Sequence, residues 1–314
     1  MIQIRDCKRT DRDFLVRLVP QDSDPIPAFL GISSNDIARG TEKVFGFPAW
    51  WVLTFTRWLR APVARLLVAE DGGEPVGFVS VAFQRGHGLI GTLITDPSHR
   101  RKGIGSALME AAEAATRARG DRVAVLEVNQ DNEGARSLYQ RRGYRLLFVN
   151  HWFEGSLSDQ PARLGAGPWV ARPATRGDLR QVRSFRRRSL PPSLVEILPP
   201  SSEDPGGIDR FARSKRGERH AWCLGPPEAP SGLVLAYTSP QGGLSFLSCP
   251  YVDSSTSEAQ QDALLEAALD WLRSKKATRT VSALPSYSTR ATAAVRRVGL
   301  VERLRSEFLF RELA

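Results

Sequence analysis

Residues 99–106 of this chain, HRRKGIGS, constrain its fold more than any other segment. An apolar stretch at 89–95 precedes them and predicts a buried strand that ends at Asp96-Pro97. Apolar residues at helical spacing follow and predict a helix over 107–119. The basic, glycine-containing segment therefore joins the end of a strand to the start of a helix.

This junction has the composition of a phosphate-binding loop. Gly103 and Gly105 lack side chains that would obstruct a ligand, so neighbouring backbone N–H groups can converge on one anion. The following helix adds unpaired N–H groups and the positive end of its dipole. The segment is not a Walker loop, because the pattern GxxxxGK[ST] is absent from the sequence. We predict a diphosphate cradle made of Arg100, Arg101, Lys102, Gly103, Ile104, Gly105 and Ser106.

A second strand and helix follow the first pair. Residues 123–128 predict a buried strand, and the polar run NQDN follows at 129–132. A helix predicted over 133–142 ends at Gly143. Together, TDPSHRRKGIGSALM and the later LEVNQDNEGARSLYQRRGY closely resemble the GNAT acetyltransferases, and within them the subgroup that acetylates protein N-terminal amines. The resemblance is specific over residues 65–150.

The resemblance implies a fold and a co-substrate. The expected fold is α+β (α/β), with a mixed, mostly antiparallel sheet, helices on both faces and a split between the two central parallel strands. The expected co-substrate is acetyl-CoA, and no metal is expected. The activity would be transfer of acetyl to a primary amine, with a protein or peptide N-terminus as the expected acceptor.

Glu127 is the predicted general base, because by resemblance it matches the glutamate that takes the proton of the acceptor amine. A partly desolvated carboxylate near a strand end would have a raised pKa and could accept that proton directly or through water. The alternative is an ordinary strand-end glutamate paired with an arginine.

Two residues of the following helix have roles that the resemblance implies. Tyr139 matches the tyrosine that protonates the leaving sulfur of coenzyme A, and a buried structural tyrosine is the alternative. Asn132 matches a residue that hydrogen-bonds the pantetheine arm. An N-cap role for Asn132 is compatible with that, since asparagine offers both a donor and an acceptor.

Leu93, Ile94 and Thr95 are expected on the strand that diverges from 123–128. A split leaves backbone N–H and C=O groups unpaired there, and the pantetheine amides can pair with them as a missing strand would. One of these N–H groups could also hold the tetrahedral oxyanion. No cysteine or serine stands in a motif typical of a covalent acyl-enzyme, so we expect direct transfer in a ternary complex.

The chain repeats itself in outline. Residues 156–168 are rich in Gly, Ser, Pro and Ala, as linkers are, and the predicted elements of the first half then recur in the same order. Arg172 and Asp178 have the separation of Arg5 and Asp11. We predict a catalytic domain over 1–155, a linker over 156–168 and a second, degenerate GNAT-like domain over 169–314.

The second copy lacks the residues of the predicted site. No RxxGxG precedes its long helix, predicted over 258–275. Aligning Gly299 with Gly143 places Ala283 at the position of Glu127, Ser288 at that of Asn132 and Val295 at that of Tyr139. A copy without the cradle, the carboxylate and the phenol is expected to be inert.

Other functions remain open on the sequence alone. Tandem GNAT proteins include mycothiol synthases, which acetylate a small amino-sugar conjugate, so a small-molecule amine is an alternative acceptor. A non-catalytic acyl-CoA sensor would keep the cradle without needing Glu127 and Tyr139. The second domain could also dock on RNA or ribosomes. The net charge of +10 favours acidic partners such as coenzyme A, but no nucleic-acid motif occurs and no basic run exceeds three residues, so we expect no nucleic-acid partner.

Composition argues against a metal-binding, membrane-spanning or secreted protein. The three cysteines and four histidines have no metal-ligand spacing, and no apolar stretch is long enough to cross a membrane. The sequence also opens without a secretory signal. We expect a cytoplasmic monomer or homodimer that binds neither metal nor membrane.

Two local patterns need interpretation. Residues 86–91, GHGLIG, match the dinucleotide fingerprint in letters only, because a strand rather than a helix is predicted to follow. Aromatic residues recur at helical spacing in the segment 45–60. We favour core packing for them, and a grip on the acceptor is the alternative. They are Trp50, Trp51, Phe55 and Trp58.

Overall fold

The protein is described here by a computed structural model. It forms two compact units: the first comprises Met1–Leu147 with Glu307–Ala314, and the second comprises Phe148–Ser306. The structure describes residues 2–21, 24–30, 32–58, 63–84, 86–159, 164–165, 167–175, 177–178, 190–197, 218–227, 229–238, 243–248, 250–252 and 256–313.

The first unit contains a mixed sheet. Its strands run in the order β1-β2-β3-β4-β5 and then the C-terminal strand β13. The first three pairings are antiparallel, and β4 pairs parallel with β5. The strands are β1 Ile2–Asp6, β2 Ala64–Asp71, β3 Glu74–Gln84, β4 His87–Thr95, β5 Val123–Asn129, the start of β6 Arg145–Ser156 and the end of β13 Val301–Glu312. The helices are α1 Arg12–Leu18, α2 Pro25–Phe29, α3 Ser34–Val44, α4 Ala49–Trp58, α5 Ile104–Ala118 and α6 Glu133–Arg141.

Alternation along the strands explains why helices cover both faces of this sheet. Leu67 and Ala69 of β2 belong to a cluster that includes Leu108 of α5. Val68, between them, belongs instead to a cluster that includes Phe14 of α1. Successive strand residues point to opposite faces, so one apolar strand supplies two cores. The expected fold class is confirmed.

The central strands separate part of the way along. The parallel register of β4 and β5 begins at the pair His87–Val123 and ends at Ile90–Leu126. Beyond that point β4 continues to Thr95 and β5 to Asn129 without pairing to each other. Both strands keep their outer neighbours, so the split that the sequence predicts is present.

A bulge in β4 marks the point of separation. The register of β3 with β4 shifts between Val79, which faces Leu93, and Val81, which faces Ile90. Gly91 lies in the extra stretch, and a Cβ atom there would come within 2.7 Å of the Ser80 Oγ. A side chain at Gly91 would have to displace the Ser80 hydroxyl, and a bulge of this kind bends the strand that carries it.

The aromatic segment differs from the favoured prediction. Trp50 packs at the edge of the core and stacks on Phe45 with ring centroids 5.1 Å apart. Trp51 and Phe55 are 51% and 38% exposed and stack on each other at 4.6 Å. The prediction of core packing is therefore wrong for these two, because helical spacing places aromatic residues on a shared face without deciding whether another element covers it.

Element limits differ slightly from those predicted. The helix expected over 107–119 begins one turn earlier, at Ile104. The compact units also divide the chain differently from the predicted domains: residues 148–156 lie in the second unit, and 307–314 lie in the first. The limits 1–155, 156–168 and 169–314 stay a prediction.

The second unit has its own mixed sheet, in the order β6-β12-β10-β9-β8-β7, with β11 paired to β9. The pairing of β10 with β12 is parallel, and the others are antiparallel. The remaining strands are β7 Arg172–Pro173, β8 Arg219–Leu224, β9 Gly232–Thr238, β10 Leu244–Leu247, β11 Tyr251–Val252 and β12 Arg279–Pro285. The helices are α7 Pro192–Ile197, α8 Glu258–Ser274 and α9 Thr289–Arg297.

The same kind of ion pair occurs in both units. In the first, Arg5 donates two hydrogen bonds to Asp11, at 2.7 and 2.8 Å. In the second, Arg172 donates two to Asp178, at 2.8 and 2.7 Å. The backbone N–H three residues before each aspartate also donates to it at 2.7 Å. The separation noticed in the sequence therefore reflects one repeated local structure.

Some predicted features lie outside the described residues. These are the linker positions 160–163 and 166, the repeat residues Arg176 and Leu179, Cys249, and positions 253–255 before the long helix of the second unit. The side chain of Trp58 is also outside them. Among the residues that are described, no helix is both long and apolar enough to cross a bilayer.

Candidate active site

The loop that precedes α5 is held at its start. Asp96 accepts a hydrogen bond from the backbone N–H of Ser98 at 3.0 Å, and its own N–H donates to the Val76 carbonyl at 2.9 Å. Hydrogen bonds from Ser98 lower the pKa of Asp96 below its ordinary value. A 3-10 turn over Pro97–His99 then leads into the basic segment. Asp-Pro thus fixes where the loop leaves the sheet.

The backbone between Arg100 and α5 twice adopts a left-handed conformation. Arg101 has φ of 66° and Gly103 has φ of 79°. Such a φ is strained for arginine, and this kind of strain concentrates at functional sites. Left-handed residues in alternation turn neighbouring N–H groups toward one side, which forms an anion-binding concavity.

No side chain caps the N-terminus of α5, where Gly103 is the N-cap. Its first N–H groups, from Ile104, Gly105 and Ser106, therefore have no partner within the helix. A Cβ at Gly105 would meet only the Leu138 side chain, at 3.4 Å, which is ordinary contact. Packing within the protein thus does not demand glycine at this position, whereas a ligand lying against the backbone would.

Three cations border the open helix end. Arg100, Arg101 and Lys102 are exposed, and Ile104 is buried and anchors the first turn in the core. Uncapped N–H groups, the positive end of the helix dipole and three full charges make a set of donors suited to a diphosphate. The seven predicted cradle residues are contiguous at this helix start.

The split between β4 and β5 follows the cradle. Leu93 and Thr95 are half-buried on the separated part of β4, and Ile94 is buried on the opposite face. Glu127 is the first residue of β5 beyond the last pair with β4. The structure therefore places the residues predicted to pair with the pantetheine amides and the predicted base at the ends of the two strands that separate.

Glu127 has a different environment from the one predicted. Its neighbours Leu126 and Val128 are buried on the core side, whereas Glu127 itself is exposed. Alternation along β5 accounts for this, because the residue between two core positions points away from the core. The expectation of a partly desolvated carboxylate is thus not met.

Asn132 is the N-cap of α6, and Tyr139 lies two turns further along on the same side of the helix. The Asn132 side-chain oxygen caps the helix by accepting the Ala135 N–H at 3.1 Å. That cap engages the oxygen, so the amide nitrogen keeps its capacity to donate. Tyr139 is only 6% exposed, and its ring lies 5.9 Å from that of Tyr144.

The sequence did not predict the network of charged residues that joins α5 to the end of α6. Glu113 of α5 is 1% exposed and accepts two hydrogen bonds from Arg142, at 3.0 and 2.7 Å, and one from Arg311, at 2.7 Å. The Glu113 hydrogen bonds raise the pKa of Arg142. Burial, and secondarily Glu113, raise the pKa of Tyr144. A charged residue on the apolar face of α5 was the available signal.

The described residues contain no group of three or more histidine, cysteine or acidic side chains arranged to hold a metal ion.

The counterpart helix in the second unit begins differently. Ser257 caps α8 by accepting the Gln260 N–H at 3.2 Å, and Gln260 accepts the Ser257 N–H at 2.7 Å. This reciprocal arrangement occupies N–H groups that are left open in α5. On α9, Val295 is completely buried and Ser288 is the N-cap, at the positions aligned with Tyr139 and Asn132.

Comparison with known proteins gives one family match. Residues 35–144 match the family described as "Acetyltransferase (GNAT) family". An uncharacterized N-acetyltransferase of Methanocaldococcus jannaschii is 32% identical over 114 residues, which cover 34% of this chain and 50% of that protein. The chain spans about half the length of the curated relatives it matches. The matched family segment includes the cradle, the split and α6.

Solved structures resemble the whole chain. A GCN5-related N-acetyltransferase from Sphaerobacter thermophilus superimposes with a TM-score of 0.63 and 14% identity, covering 99% of this chain and 96% of that one. A tandem GNAT protein from the clavulanic acid biosynthesis pathway gives a TM-score of 0.62 and 15% identity, covering 100% and 99%. At this identity the resemblance establishes the fold alone.

Proposed function

Because this chain is a GNAT-family protein with two GNAT folds in tandem, we propose that its first unit transfers an acetyl group from acetyl-CoA to a primary amine. A protein or peptide N-terminus is the proposed acceptor, on the resemblance of the segment around Glu127 and Tyr139. The second unit takes no part in the chemistry.

One observation carries the proposal: an uncapped, cation-bordered helix start lies at the end of a strand that has separated from its parallel neighbour. The helix start supplies N–H groups and charge for a diphosphate. The separated strands supply backbone donors and acceptors for an extended amide-containing arm. Coenzyme A has both parts in the same order, so a single ligand accounts for both features.

Glu127 is the proposed general base. It follows the last β4–β5 pair, where the thioester end of such a ligand would arrive. At neutral pH the acceptor is largely an ammonium ion, and Glu127 would take one of its protons directly or through a water molecule. Docking of the acceptor over Glu127 would also supply the desolvation that the exposed side chain lacks.

Tyr139 is the proposed acid for the leaving group. It shares a face of α6 with Asn132, which would donate to the pantetheine arm through its amide nitrogen. As the tetrahedral intermediate collapses, the carbon–sulfur bond breaks and the Tyr139 hydroxyl gives its proton to the thiolate, while the second proton of the amine nitrogen passes to the resulting tyrosinate. A backbone N–H of Leu93, Ile94 or Thr95 would hold the oxyanion. The acetyl group passes directly to nitrogen within the ternary complex.

The proposal is tested by measuring turnover and binding separately on the full chain. Release of coenzyme A is followed with mixed peptides and with polyamines, and the Kd of acetyl-CoA is measured by calorimetry. Glu127→Gln and Tyr139→Phe are each expected to lower kcat by about 100-fold or more while the Kd changes little. Glu74→Gln, an exposed glutamate at the β2–β3 turn, is the matched control and should behave as wild type.

Each outcome bears on a different part of the proposal. Turnover that survives both substitutions would contradict the assigned roles. Binding without turnover on any amine would favour a non-catalytic acyl-CoA sensor. Turnover with polyamines but not with peptides would replace the protein N-terminus by a small-molecule amine.

A further inference from the structure

The end of the last strand, β13, belongs to the first unit and supplies charged residues to it. Glu307, Leu309 and Arg311 alternate along this strand, so their side chains point to one face of the sheet. Leu309 packs in the apolar cluster that also contains Tyr139 of α6. The strand therefore presents Glu307 and Arg311 to the face against which α5 and α6 pack.

Two ion pairs hold α6, one on each side of Tyr139. Arg136, one turn before Tyr139, donates two hydrogen bonds to Glu307, at 3.1 and 2.9 Å. Arg142, one turn after Tyr139 and just beyond the helix end, donates two to Glu113 of α5. A helix of nine residues is not stable without tertiary contacts. These two ion pairs, together with apolar packing, therefore set the position of α6 and of its tyrosine.

The pair of Arg136 with Glu307 is more than a surface contact. Glu307 is only 8% exposed, and the Arg136 side chain is 29% exposed. Two N–H···O bonds between a guanidinium and a carboxylate fix both the distance and the relative orientation of the groups. Because loss of one partner would leave the other charge buried and unpaired, the pair favours a single arrangement of the strand and the helix.

The second unit indicates that the fold does not require these ion pairs. In the alignment that places Val295 at the position of the tyrosine, Thr292 and Val298 take the places of Arg136 and Arg142. Neither of these side chains can form an ion pair, yet the helix is present and has the same length of nine residues. The two ion pairs thus occur with the candidate site rather than with the fold.

From this arrangement we infer that Glu307 is a positioning residue for acetyl transfer: through Arg136 it fixes the Tyr139 hydroxyl at the leaving sulfur. The inference rests on the proposed function, in which Tyr139 protonates that sulfur. The hydroxyl must lie within hydrogen-bond distance of the sulfur as the carbon–sulfur bond breaks. A small displacement of the helix would therefore slow the reaction more than it would weaken coenzyme binding.

The test measures kcat and the Kd of acetyl-CoA on the full chain, with mixed peptides and polyamines as acceptors. Glu307→Gln is made alone and in combination with Tyr139→Phe. Alone, it should lower kcat about tenfold and change the Kd less than about twofold. In the Tyr139→Phe background it should have little further effect on kcat, because the group that it positions is already absent. A purely structural role would instead lower kcat by the same factor in both backgrounds.

Glu312→Gln is the matched control, because it makes the same substitution in the same strand at an exposed glutamate, whose partner Arg145 is also exposed. It should leave kcat and Kd unchanged. Combining Arg136→Gln with Glu307→Gln removes both charges and leaves neither unpaired, so this variant keeps the test valid if Glu307→Gln alone fails to fold. It should show the same loss of kcat, about tenfold.

The outcomes separate this inference from the proposed function. Unchanged kcat in Glu307→Gln, or an equal loss in both backgrounds, would overturn the positioning role and leave the acid role of Tyr139 intact. A rise in Kd as large as the fall in kcat would assign the ion pair to coenzyme binding instead. Unchanged turnover in Tyr139→Phe would remove the proposed acid, and with it this inference.

Discussion

The long helices α5 and α8 occupy equivalent places in the two units but begin in opposite ways. In α5 the N-cap is Gly103, in a left-handed conformation, and no side chain accepts from the first turn. In α8 the first turn is closed by Ser257 and Gln260. One helix start is left open toward an external anion, and the other has its N–H groups engaged by its own side chains.

The scaffold around these helices is the same in both units. Tyr144 donates its N–H to the Tyr139 carbonyl, and Leu300 donates likewise to Val295. Gly143 and Gly299 end the two preceding helices with φ of 81° and 85°. The fold and its turns are therefore repeated, while the donors, the carboxylate and the phenol of the candidate site are found in the first unit alone among the aligned positions. Fold and site are separable in this chain.

The largest expected effect is a loss of stability on breaking the arginine–aspartate ion pair that both units contain. Asp11→Asn and Asp178→Asn each leave a half-buried arginine without its bidentate partner, and each should cost about 3 kcal/mol of local stability. Hydrogen exchange should show loosening near Arg5 in the first variant and near Arg172 in the second.

Burial acts to raise the pKa of Asp11, but the hydrogen bonds from Arg5 and the backbone outweigh it and lower that pKa. The Arg172 hydrogen bond likewise lowers the pKa of Asp178. The stabilisation is therefore present above the ordinary carboxyl pKa and is lost as the pH falls below it.

The control is Asp13→Asn on the exposed surface of α1, which should leave exchange rates unchanged. A large cost in one unit and none in the other would show that the two anchors are alike in geometry but not in energy.

The next largest effect concerns coenzyme affinity and the open start of α5, which the second unit lacks. Gly105→Ala places a methyl group in the proposed diphosphate cradle, whereas within the protein that methyl meets only Leu138. The Kd of acetyl-CoA should rise roughly 10- to 100-fold, the cost of steric crowding at 1–3 kcal/mol. Thermal stability should be unchanged or slightly higher, because alanine favours helix.

Gly40→Ala is the matched helical control, since a Cβ atom at that position would have nothing within 4 Å. It should gain the same helix propensity without any change in Kd. Equal Kd values for Gly105→Ala and wild type would mean that no ligand lies against this turn.

The sequence predicted the shared scaffold well and the site only in part. Strand and helix periods, the Asn132 cap and the alignment of Gly143 with Gly299 are local patterns, and local patterns survive in the structure. The partners of Glu113 are not local: Arg311 lies 198 positions away along the chain. Which cation meets a buried carboxylate depends on the packed fold, so no spacing rule could have found it. The exposure of Trp51 has the same origin, because no spacing rule shows whether another element covers a helix face.

A smaller effect tests the closed helix start of the second unit. Ser257→Ala removes the side-chain acceptor at the N-cap of α8 and should cost about 1 kcal/mol of stability. Coenzyme affinity should not change, because this helix start is not the proposed cradle. Ser274→Ala at the other end of α8 is the control. Weaker coenzyme binding in Ser257→Ala would indicate that the second unit takes part in binding after all.

The smallest expected effect is on the pH dependence of stability, and it comes from a difference between the units at the start of their parallel strand pairs. His87 pairs with Val123 at the start of β5, and in the second unit Leu244 pairs with Arg279 at the start of β12. His87 is 4% exposed, and its Nδ1 has no hydrogen-bond partner among the described residues. Burial lowers the pKa of His87 below its ordinary value of 6.5, although the nearby Asp121 acts in the opposite direction.

Protonation of this imidazole therefore favours the unfolded chain, so the first unit should lose stability as the pH falls below about 6.5 and keep it above that value. His87→Leu, which copies the residue of the second unit, should lie within about 1 kcal/mol of wild type at pH 7.5. The variant should also flatten the loss between pH 7 and pH 5, as measured by urea unfolding. The control His99→Gln, at a half-exposed histidine, should retain the wild-type slope. If His87→Leu also retains it, the acid sensitivity lies elsewhere, and this difference between the units has no effect on stability.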